Sequence, residues 1–485
     1  MSEKVALINL GCPKNLVDSE VMLGHLRAQG FELTADMESA DVVVVNTCGF
    51  LQDAAQESVN TLLAAAERKK AGKLRAVVAA GCMTQRYGAD VADAMPEVDG
   101  FLGVGQGHSL PDVVRRVLAG ERASVLTGPS AGFEGYGLRL QSTPSYTSYL
   151  KVSEGCDRKC AFCVIPQIRG EMVSRSLDAI VREAEVLAAQ GTREIILIGQ
   201  DPNRYGVDLV KDARAKGSGT GAALDAQGLP LTTSSHLLPE LLARLNDVRD
   251  LRWIRVMYLF PDRHVEPILE AIAALPKVCK YVDMPVQHTS PEIVRAMNRP
   301  GDGQEYLRRL EKLRRTCPEV SLRSTFIVGF PGETDGHFQD LVGFAQQAQF
   351  DWGGVFRYSP EEGSTAAEMP GQVPKRVSKA RYHQLMAVQQ AISSERQRRW
   401  VGRQVEVLVE SVQGENAVGR TQGQAPDVDG ETHLDISVLP DVRPGDFVLA
   451  DITGSTEYDL NGCALEVLHR SPLRAPGLLQ IGVRS

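Results

Sequence analysis

The sequence predicts an α/β protein of three domains: an N-terminal parallel α/β domain, a central incomplete (β/α)6 barrel and a small C-terminal all-β barrel. Three observations predict it. Apolar, β-branched runs alternate with helical segments in residues 1–126 and again in 148–374, as in parallel strands covered on both faces. After Val401 the pattern changes to period-two alternation with Gly and Pro turns, as in a small barrel. The length of 485 residues suits about three domains of roughly 150 residues each.

In the first domain, residues 5–10 form an apolar run that ends in Gly11-Cys12, and a helical segment covers 19–29. Asp41-Val-Val-Val-Val-Asn46 is a buried-strand signal followed by Thr47-Cys48. Residues 52–70, rich in Ala, Glu and Lys, predict a long helix, and residues 74–80 a third strand followed by Gly81-Cys82. Strands of a parallel sheet end on one side. Cys12, Cys48 and Cys82 therefore belong at carboxyl ends of strands, where open α/β sheets build their sites.

Residues 127–147, rich in Gly, Ser, Pro and Tyr, read as a linker. The second series predicts strands at 148–152, 194–198, 253–258, 281–285, 323–328 and 354–358. Helices lie between most of them, including 177–190 and 239–246; the latter opens on Pro239, which the first helical position tolerates. Six such steps fit an incomplete barrel, although a doubly wound sheet has the same periodicity. Residues 211–235, rich in Gly, Ser, Thr and Ala, predict a flexible surface insertion. Residues 375–400 predict a charged helical connector. Residues 401–485 predict the small β-barrel, with strands at 404–410 and 446–452.

A composition of 43% hydrophobic and 24% charged residues is that of a soluble globular protein. No apolar run approaches the roughly 18 residues of a membrane span. The start, MSEKVALINLGC, enters a strand-like run with no basic n-region. The expected location is the cytoplasm. Nine cysteines in a reducing compartment point to metal binding or catalysis rather than disulfides. The net charge of −8 is concentrated at one end: residues 400–485 hold six Arg, no Lys and thirteen Asp or Glu.

Cys156-Asp-Arg-Lys-Cys160-Ala-Phe-Cys163 is a tight set, C-x3-C-x2-C. Three thiolates can bind three irons of a cubane cluster, leaving the fourth iron open to a small molecule. A structural zinc site would want a fourth Cys or His nearby, and His108 and His236 are remote in sequence. Zinc and unliganded thiols remain the alternatives. The wide set, Cys12, Cys48 and Cys82, reads as a second three-thiolate cluster with an open iron. Its plain alternative is three small buried hydrophobes.

C-x3-C-x-aromatic-C at the end of a first barrel strand resembles the radical S-adenosylmethionine superfamily. The resemblance implies that the open iron chelates S-adenosylmethionine and that electron transfer releases a 5′-deoxyadenosyl radical. It puts Phe162 beside the adenine. It matches Ile198-Gly199-Gln200-Asp201 to the segment that holds the methionine amino group. It matches Ile327-Val-Gly-Phe-Pro-Gly-Glu333 to the Gly-rich segment near the adenosine, with Gly329 allowing close backbone approach.

The wide set ahead of a radical domain, with a β-domain behind, resembles the methylthiotransferase family over essentially the whole chain. The C-terminal domain resembles the TRAM module, an OB-like barrel. This implies two [4Fe-4S] clusters and S-adenosylmethionine, with one S-adenosylmethionine giving the methyl group, another the radical, and the second cluster carrying or supplying sulfur. Leu10-Gly-Cys-Pro-Lys-Asn-Leu-Val-Asp-Ser-Glu20, Ser153-Glu-Gly-Cys-Asp-Arg-Lys-Cys160, Ala425-Pro-Asp-Val-Asp-Gly430 and Arg443-Pro-Gly-Asp446 with Glu457-Tyr-Asp-Leu460 are similar to the RimO-like branch. That branch modifies the β-carbon of an aspartate of small-subunit ribosomal protein S-twelve. The tRNA adenosine (MiaB-like) branch has Gln-Met-Asn after the first Cys. The expected partners are this basic protein, alone or on the ribosome, and an electron donor such as flavodoxin or ferredoxin. An acidic last domain does not favour RNA. Pro202-Asn-Arg204 departs from the Thr-Thr of RimO-like chains. The alternatives are tRNA methylthiolation and a non-catalytic iron–sulfur redox or RNA-binding protein.

Three further groups lie on the last three strands of the expected barrel. Gln287 and His288 end the fourth strand and face its mouth. Arg323 begins the fifth strand and pairs with a carboxylate of cofactor or substrate, or forms an ordinary ion pair. Tyr358, Ser359 and Pro360 line the cavity from the sixth. Residues 102–107 are Gly-rich but lack a phosphate-loop fingerprint. Cys279, Cys317 and Cys463 read as core or surface thiols.

Overall fold

The computed structural model describes residues 3–130, 132–133, 136–215, 236–472 and 482–483. The N-terminal domain is a parallel sheet of β1 (Lys4–Asn9), β2 (Glu32–Leu33), β3 (Val42–Thr47), β4 (Ala76–Gly81), β5 (Gly100–Leu102) and β6 (Ala123–Val125), in the order β2-β1-β3-β4-β5-β6. Every residue of β3 is buried, because a continuous valine run serves both faces at once. Helices α1 (Pro13–Ala28) and α4 (Leu110–Leu118) cover one face, and α2 (Gln52–Lys70) and α3 (Cys82–Ala94) the other. α1 starts earlier than expected, on Pro13 directly after Cys12. The strands β2, β5 and β6, two or three residues long, are too short for periodicity to reveal.

The central domain holds β7 (Thr147–Lys151), a short antiparallel pair β8 (Ser153–Glu154) and β9 (Val173–Ser174), β10 (Glu194–Ile198), β11 (Trp253–Val256), β12 (Tyr281–Asp283), β13 (Ser321–Val328) and β14 (Trp352–Arg357). β7-β10-β11 and β12-β13-β14 are two parallel three-stranded sheets, bridged at Ile254 and Val278. Six strands side by side in chain order make an incomplete barrel, not a doubly wound sheet. The connecting helices are α5 (Ile165–Arg169), α6 (Leu177–Ala189), α7 (Val207–Ala215), α8 (Leu238–Asn246), α9 (Glu266–Ala274), α10 (Pro291–Ala296), α11 (Gly303–Thr316) and α12 (Asp335–Ala348). Of the expected insertion at 211–235, residues 211–215 end α7, and 216–235 lie outside the described residues.

α13 (Lys375–Arg398) packs on α12 and β14 and leads to the last domain. There β15 (Gln404–Gln413), β16 (Asn416–Thr421), β17 (Thr432–Asp435), β18 (Phe447–Ser455) and β19 (Leu460–His469) close a barrel in the order β15-β16-β17-β19-β18. β20 (Gly482–Val483) returns to pair in parallel with Ile8 and Asn9 of β1.

The expected linker is a packed strap. Arg139 is buried between Glu20 of α1 (2.6 Å) and Glu183 of α6 (2.8 Å). The Leu140 N–H donates to the Glu20 carbonyl at 3.1 Å, and the Leu138 carbonyl lies where a side chain on Gly24 would stand. The last domain docks at the amino-terminal half of the barrel. Arg420 pairs with Glu194 (2.7 Å) and Glu410 (2.9 Å), Arg255 with Glu194 (3.0 Å), and Trp352 Nε1 donates to the Gly423 carbonyl (2.7 Å). The carboxyl ends of the strands are left to the N-terminal domain. No helix among the described residues is long and apolar enough to cross a membrane.

Candidate functional site at the carboxyl ends of two sheets

Cys12 caps the start of α1, Cys48 follows β3, and Cys82 opens α3. Glycines let their three loops meet. A Cβ on Gly11 (φ +92°) would lie 3.0 Å from Cys48 Cβ and 3.2 Å from its Sγ, and one on Gly49 would lie 2.6 Å from Met83 Cα. A buried amide network clamps them. Asn15 Nδ2 donates to the carbonyls of Leu10 (2.9 Å) and Thr47 (3.0 Å), and Asn46 Nδ2 to the Asn15 carbonyl (2.8 Å) and Ser19 Oγ (2.8 Å). Burial pushes the Cys82 thiol up to about 12, with the Cys12 and Cys48 charges adding to it and Arg169 opposing.

The tight set lies on the loop after β8. The Arg158 N–H points at Cys156 Sγ (3.4 Å), the Ile165 N–H at Cys163 Sγ (3.5 Å), and Arg299 Nη1 at Cys160 Sγ (3.7 Å). Burial, helped by Asp201 and Cys160 at Cys156 and by Cys160 and Cys156 at Cys163, pushes both thiols up to about 12.

Arg169 joins the two sets. Six residues beyond Cys163, it donates to Cys82 Sγ (3.3 Å), Asn15 Oδ1 (2.6 Å), Asp18 Oδ2 (3.1 Å) and Glu154 Oε1 (2.8 Å). Lys151 completes the group with Asp18 and with Glu154 at 2.7 Å. Burial would raise Glu154, but Arg169 and Lys151 outweigh it and hold the carboxyl at about 2. On the apolar side, Cys82 and Val104 pack with Val164 and Ile168 of the tight loop and α5. Arg86 of α3 pairs with Glu361 beyond β14 at 3.0 Å, both almost fully buried. Arg169 and the Cys82–Val164–Ile168 packing thus join the wide set to the loop and helix of the tight set at the junction of the first two domains.

Phe162 is half-buried against Ala161, Ile293, Met297, Phe330 and Ala366. A Cβ on Gly199 would sit 2.8 Å from Ser153 Oγ. Gln200 Nε2 donates to Glu154 Oε1 at 2.6 Å, and Asp201 accepts from Arg158 Nε at 2.5 Å. Ser153 Oγ, Gln200 Oε1 and Asp201 Oδ1 are buried with no partner among the described residues, as expected where a polar ligand completes the bonding. Gln287 is half-buried in the left-handed region (φ +68°), its N–H on the Thr325 carbonyl at 2.9 Å. His288 is fully buried, with Nε2 3.7 Å from Glu333 Oε1.

Of the alternatives for Arg323, the structure shows the ion pair: it meets carboxylates of the chain itself, Asp283 (3.4 Å) and Asp429 (3.2 Å), and faces the last domain. Gly329 (φ +78°) leaves room for Ser378 of α13, and its N–H donates to the Glu333 carboxylate. Tyr358 packs edge-on to Phe330, centroids 5.4 Å apart. Cys279 and Cys317 are buried and Cys463 is exposed, none beside either set.

Sequence reasoning missed Lys14, Lys151, Glu154, Arg169 and Arg299; a lone charged residue carries no local mark of an internal position. Among the described residues no three His, Cys, Asp or Glu side chains are arranged to hold a metal ion. The fit to clusters rests on the donor set. Each set offers three thiols and no fourth ligand, and a cubane spreads such ligands over separate irons.

Three family models match the chain: uncharacterized protein family UPF0004 over residues 4–103, the radical SAM superfamily over 150–345 and the TRAM domain over 401–465. The ribosomal protein uS12 methylthiotransferase RimO of Pelotomaculum thermopropionicum is 43% identical over 465 residues, 95% of this chain and 99% of its own. The protein of the same name from Desulforamulus reducens is 41% identical over 94% of this chain and 98% of its own. That from Geobacter sulfurreducens is 41% identical over 95% and 98%. Among solved structures, the radical S-adenosylmethionine methyltransferase TsrM of Kitasatospora setae aligns with 74% of this chain and 72% of its own at 15% identity and a TM-score of 0.49.

Proposed function

Because the chain belongs to the RimO family of ribosomal protein uS12 methylthiotransferases, we propose that it adds a methylthio group to the β-carbon of an aspartate of uS12, in the cytoplasm, by radical S-adenosylmethionine chemistry. The observation that supports this reading is Arg169, which donates to Cys82 of the wide set from the helix that follows Cys163 of the tight set.

Cys156, Cys160 and Cys163 hold one [4Fe-4S] cluster, and Cys12, Cys48 and Cys82 hold the other. When bound, the clusters and S-adenosylmethionine supply the electron, the radical, the sulfur and the methyl group. The chain positions and encloses. Residues 1–126 carry the wide set, 148–374 the tight one, and 401–485 brace the barrel. The glycine loops and the Asn15–Asn46 network fix the three thiols of the wide set. Gly199, Gln200 and Asp201, at the end of the second barrel strand, offer buried polar atoms to S-adenosylmethionine, with Phe162 and Gln287 nearby in the mouth. The apolar contact of Cys82 with Val164 and Ile168, and the buried Arg86–Glu361 pair, keep water from the junction of the first two domains. A flavodoxin or ferredoxin serves as reductant.

The test is anaerobic. The reconstituted protein receives reductant, S-adenosylmethionine and either uS12 or bulk transfer RNA, and mass spectrometry looks for a methylthio group. Modification of the uS12 aspartate is expected; modification of RNA alone would overturn the substrate. Cys160→Ala and Cys48→Ala are each expected to lower bound iron by about half and to stop methylthiolation. Cys160→Ala should also stop formation of 5′-deoxyadenosine; formation at the wild-type rate would refute the ligand assignment.

A further inference from the structure

The charged groups around Arg169 and the tight set are mostly matched. Arg169 and Lys151 close on Asp18 and Glu154. Arg158 closes on Asp201 (2.5 Å) and Asp262 (2.5 Å). Arg299 donates to the Pro285 carbonyl (2.6 Å) and lies against Cys160. Lys14 differs. Its Nζ stands 3.3 Å from the centroid of the Tyr258 ring, and no ion pair or hydrogen bond of that ammonium is found among the described residues. The carboxylates nearest in its surroundings, Asp283 and Glu154, are the ones that Arg323, Arg169 and Lys151 already hold.

Tyr258 is built as a platform. It follows β11 in the left-handed region (φ +66°) and its N–H donates to Asp283 Oδ2 at 3.0 Å. A non-glycine residue stays in that region only where its surroundings enforce it. An aromatic face steadies a cation without neutralising it. Lys14 is thus half-buried, positioned and still able to take an anion, two residues from the exposed Cys12.

We infer that Lys14 receives the carboxylate of the acidic side chain to be modified, and so selects an aspartate-bearing protein over a substrate with no anion at that place. The inference rests on the uS12 reading above. The carboxylate of an aspartate is one bond from its β-carbon, so gripping it fixes the reacting carbon beside the wide set and turns binding energy into orientation. Aspartate and S-adenosylmethionine both carry a carboxylate. Lys14 lies two residues from Cys12, in the first turn of the helix that Cys12 caps, and that placement favours the aspartate.

The test measures binding, not turnover. Full-length reconstituted protein is titrated, without S-adenosylmethionine, with uS12 and with uS12 carrying asparagine in place of the target aspartate. The wild type is expected to prefer the aspartate form by about ten-fold, the worth of one partly buried ion pair. Lys14→Met, close in volume, is expected to bind both forms with the affinity the wild type has for the asparagine form. Lys14→Arg should keep the preference, which shows that the charge and not the fold is at stake. Iron content is followed for each variant as a folding control. If Lys14→Met keeps the aspartate preference, the inference is wrong. It is equally wrong if discrimination survives while S-adenosylmethionine affinity, read by equilibrium dialysis, falls about ten-fold; the carboxylate held is then the cofactor's. If wild-type protein ignores uS12 and modifies RNA, the uS12 reading itself falls and takes the inference with it.

Discussion

At Gly81 a single methyl group would disturb the wide cysteine set. Its φ of +94° is in the region that side chains rarely adopt, and a Cβ there would run into Asn46 Oδ1, part of the amide clamp that holds the Cys12 and Cys48 loops. Gly81→Ala is therefore expected to destabilise the N-terminal domain by about 1–3 kcal/mol and to weaken iron retention at the wide set before the tight set is affected. Chemical denaturation and iron analysis check both. The placing of Cys12, Cys48 and Cys82 just past strands was legible in the sequence, since each follows a buried apolar run. Lys14 and Arg169 were not. Each is an ordinary surface residue by composition, and only the packing of α1 and α5 into one interface encloses them.

The strap between the first two domains shows what composition hides at the scale of elements. Gly, Ser, Pro and Tyr describe a chain with little regular structure, and among the described residues of 127–147 the only regular element is the short turn Tyr136–Leu138 before the strand begins at Thr147, yet Arg139 anchors it to two helices. Irregular backbone and loose backbone are different properties, and the sequence reports the first. Gly24 tests the distinction. In the middle of α1, Gly→Ala would ordinarily stabilise a helix by about 1 kcal/mol. Here the new Cβ would overlap the Leu138 carbonyl, so Gly24→Ala is expected to destabilise instead and to speed proteolytic cleavage within the strap. The strands of the barrel were legible to within a few residues because most are buried apolar runs, as at Glu194–Ile198 and Trp253–Val256. The helix α1 began earlier than read because Pro13 and Cys12, not a polar cap, start it.

Across the whole molecule, the three-domain order was legible from the change of period, but the use of the acidic last domain was only half so. Part of its charge is turned inward: Glu410 pairs with Arg420, Asp429 with Arg323 and Glu406 with Arg252. Glu415, Glu431, Asp435, Asp441, Glu457 and Glu466 stay exposed, and these are the charges a basic partner would meet. The inward charge converges on Glu194, which is fully buried and shared by Arg255 and Arg420. Burial alone would raise its carboxyl, but Arg420 and then Arg255 outweigh it and hold Glu194 at about 2 against an ordinary 4.5. A carboxyl lowered on folding contributes its full stability above its unfolded value and loses it as pH falls toward the folded one. The junction between barrel and last domain should thus hold above about pH 4.5 and weaken between about pH 4.5 and 2. Glu194→Gln should cost about 3–5 kcal/mol, because two buried guanidinium groups lose their shared counter-charge, and should remove that part of the acid dependence. Trp253 packs edge-on to Phe447 of the last domain, centroids 4.9 Å apart, and Trp352 donates to the Gly423 carbonyl. Two of the three tryptophans therefore report on the junction, and a fluorescence titration from neutral pH to pH 2 on both proteins reads it directly. A transition in Glu194→Gln matching the wild type in midpoint and amplitude would mean that the acid sensitivity lies elsewhere.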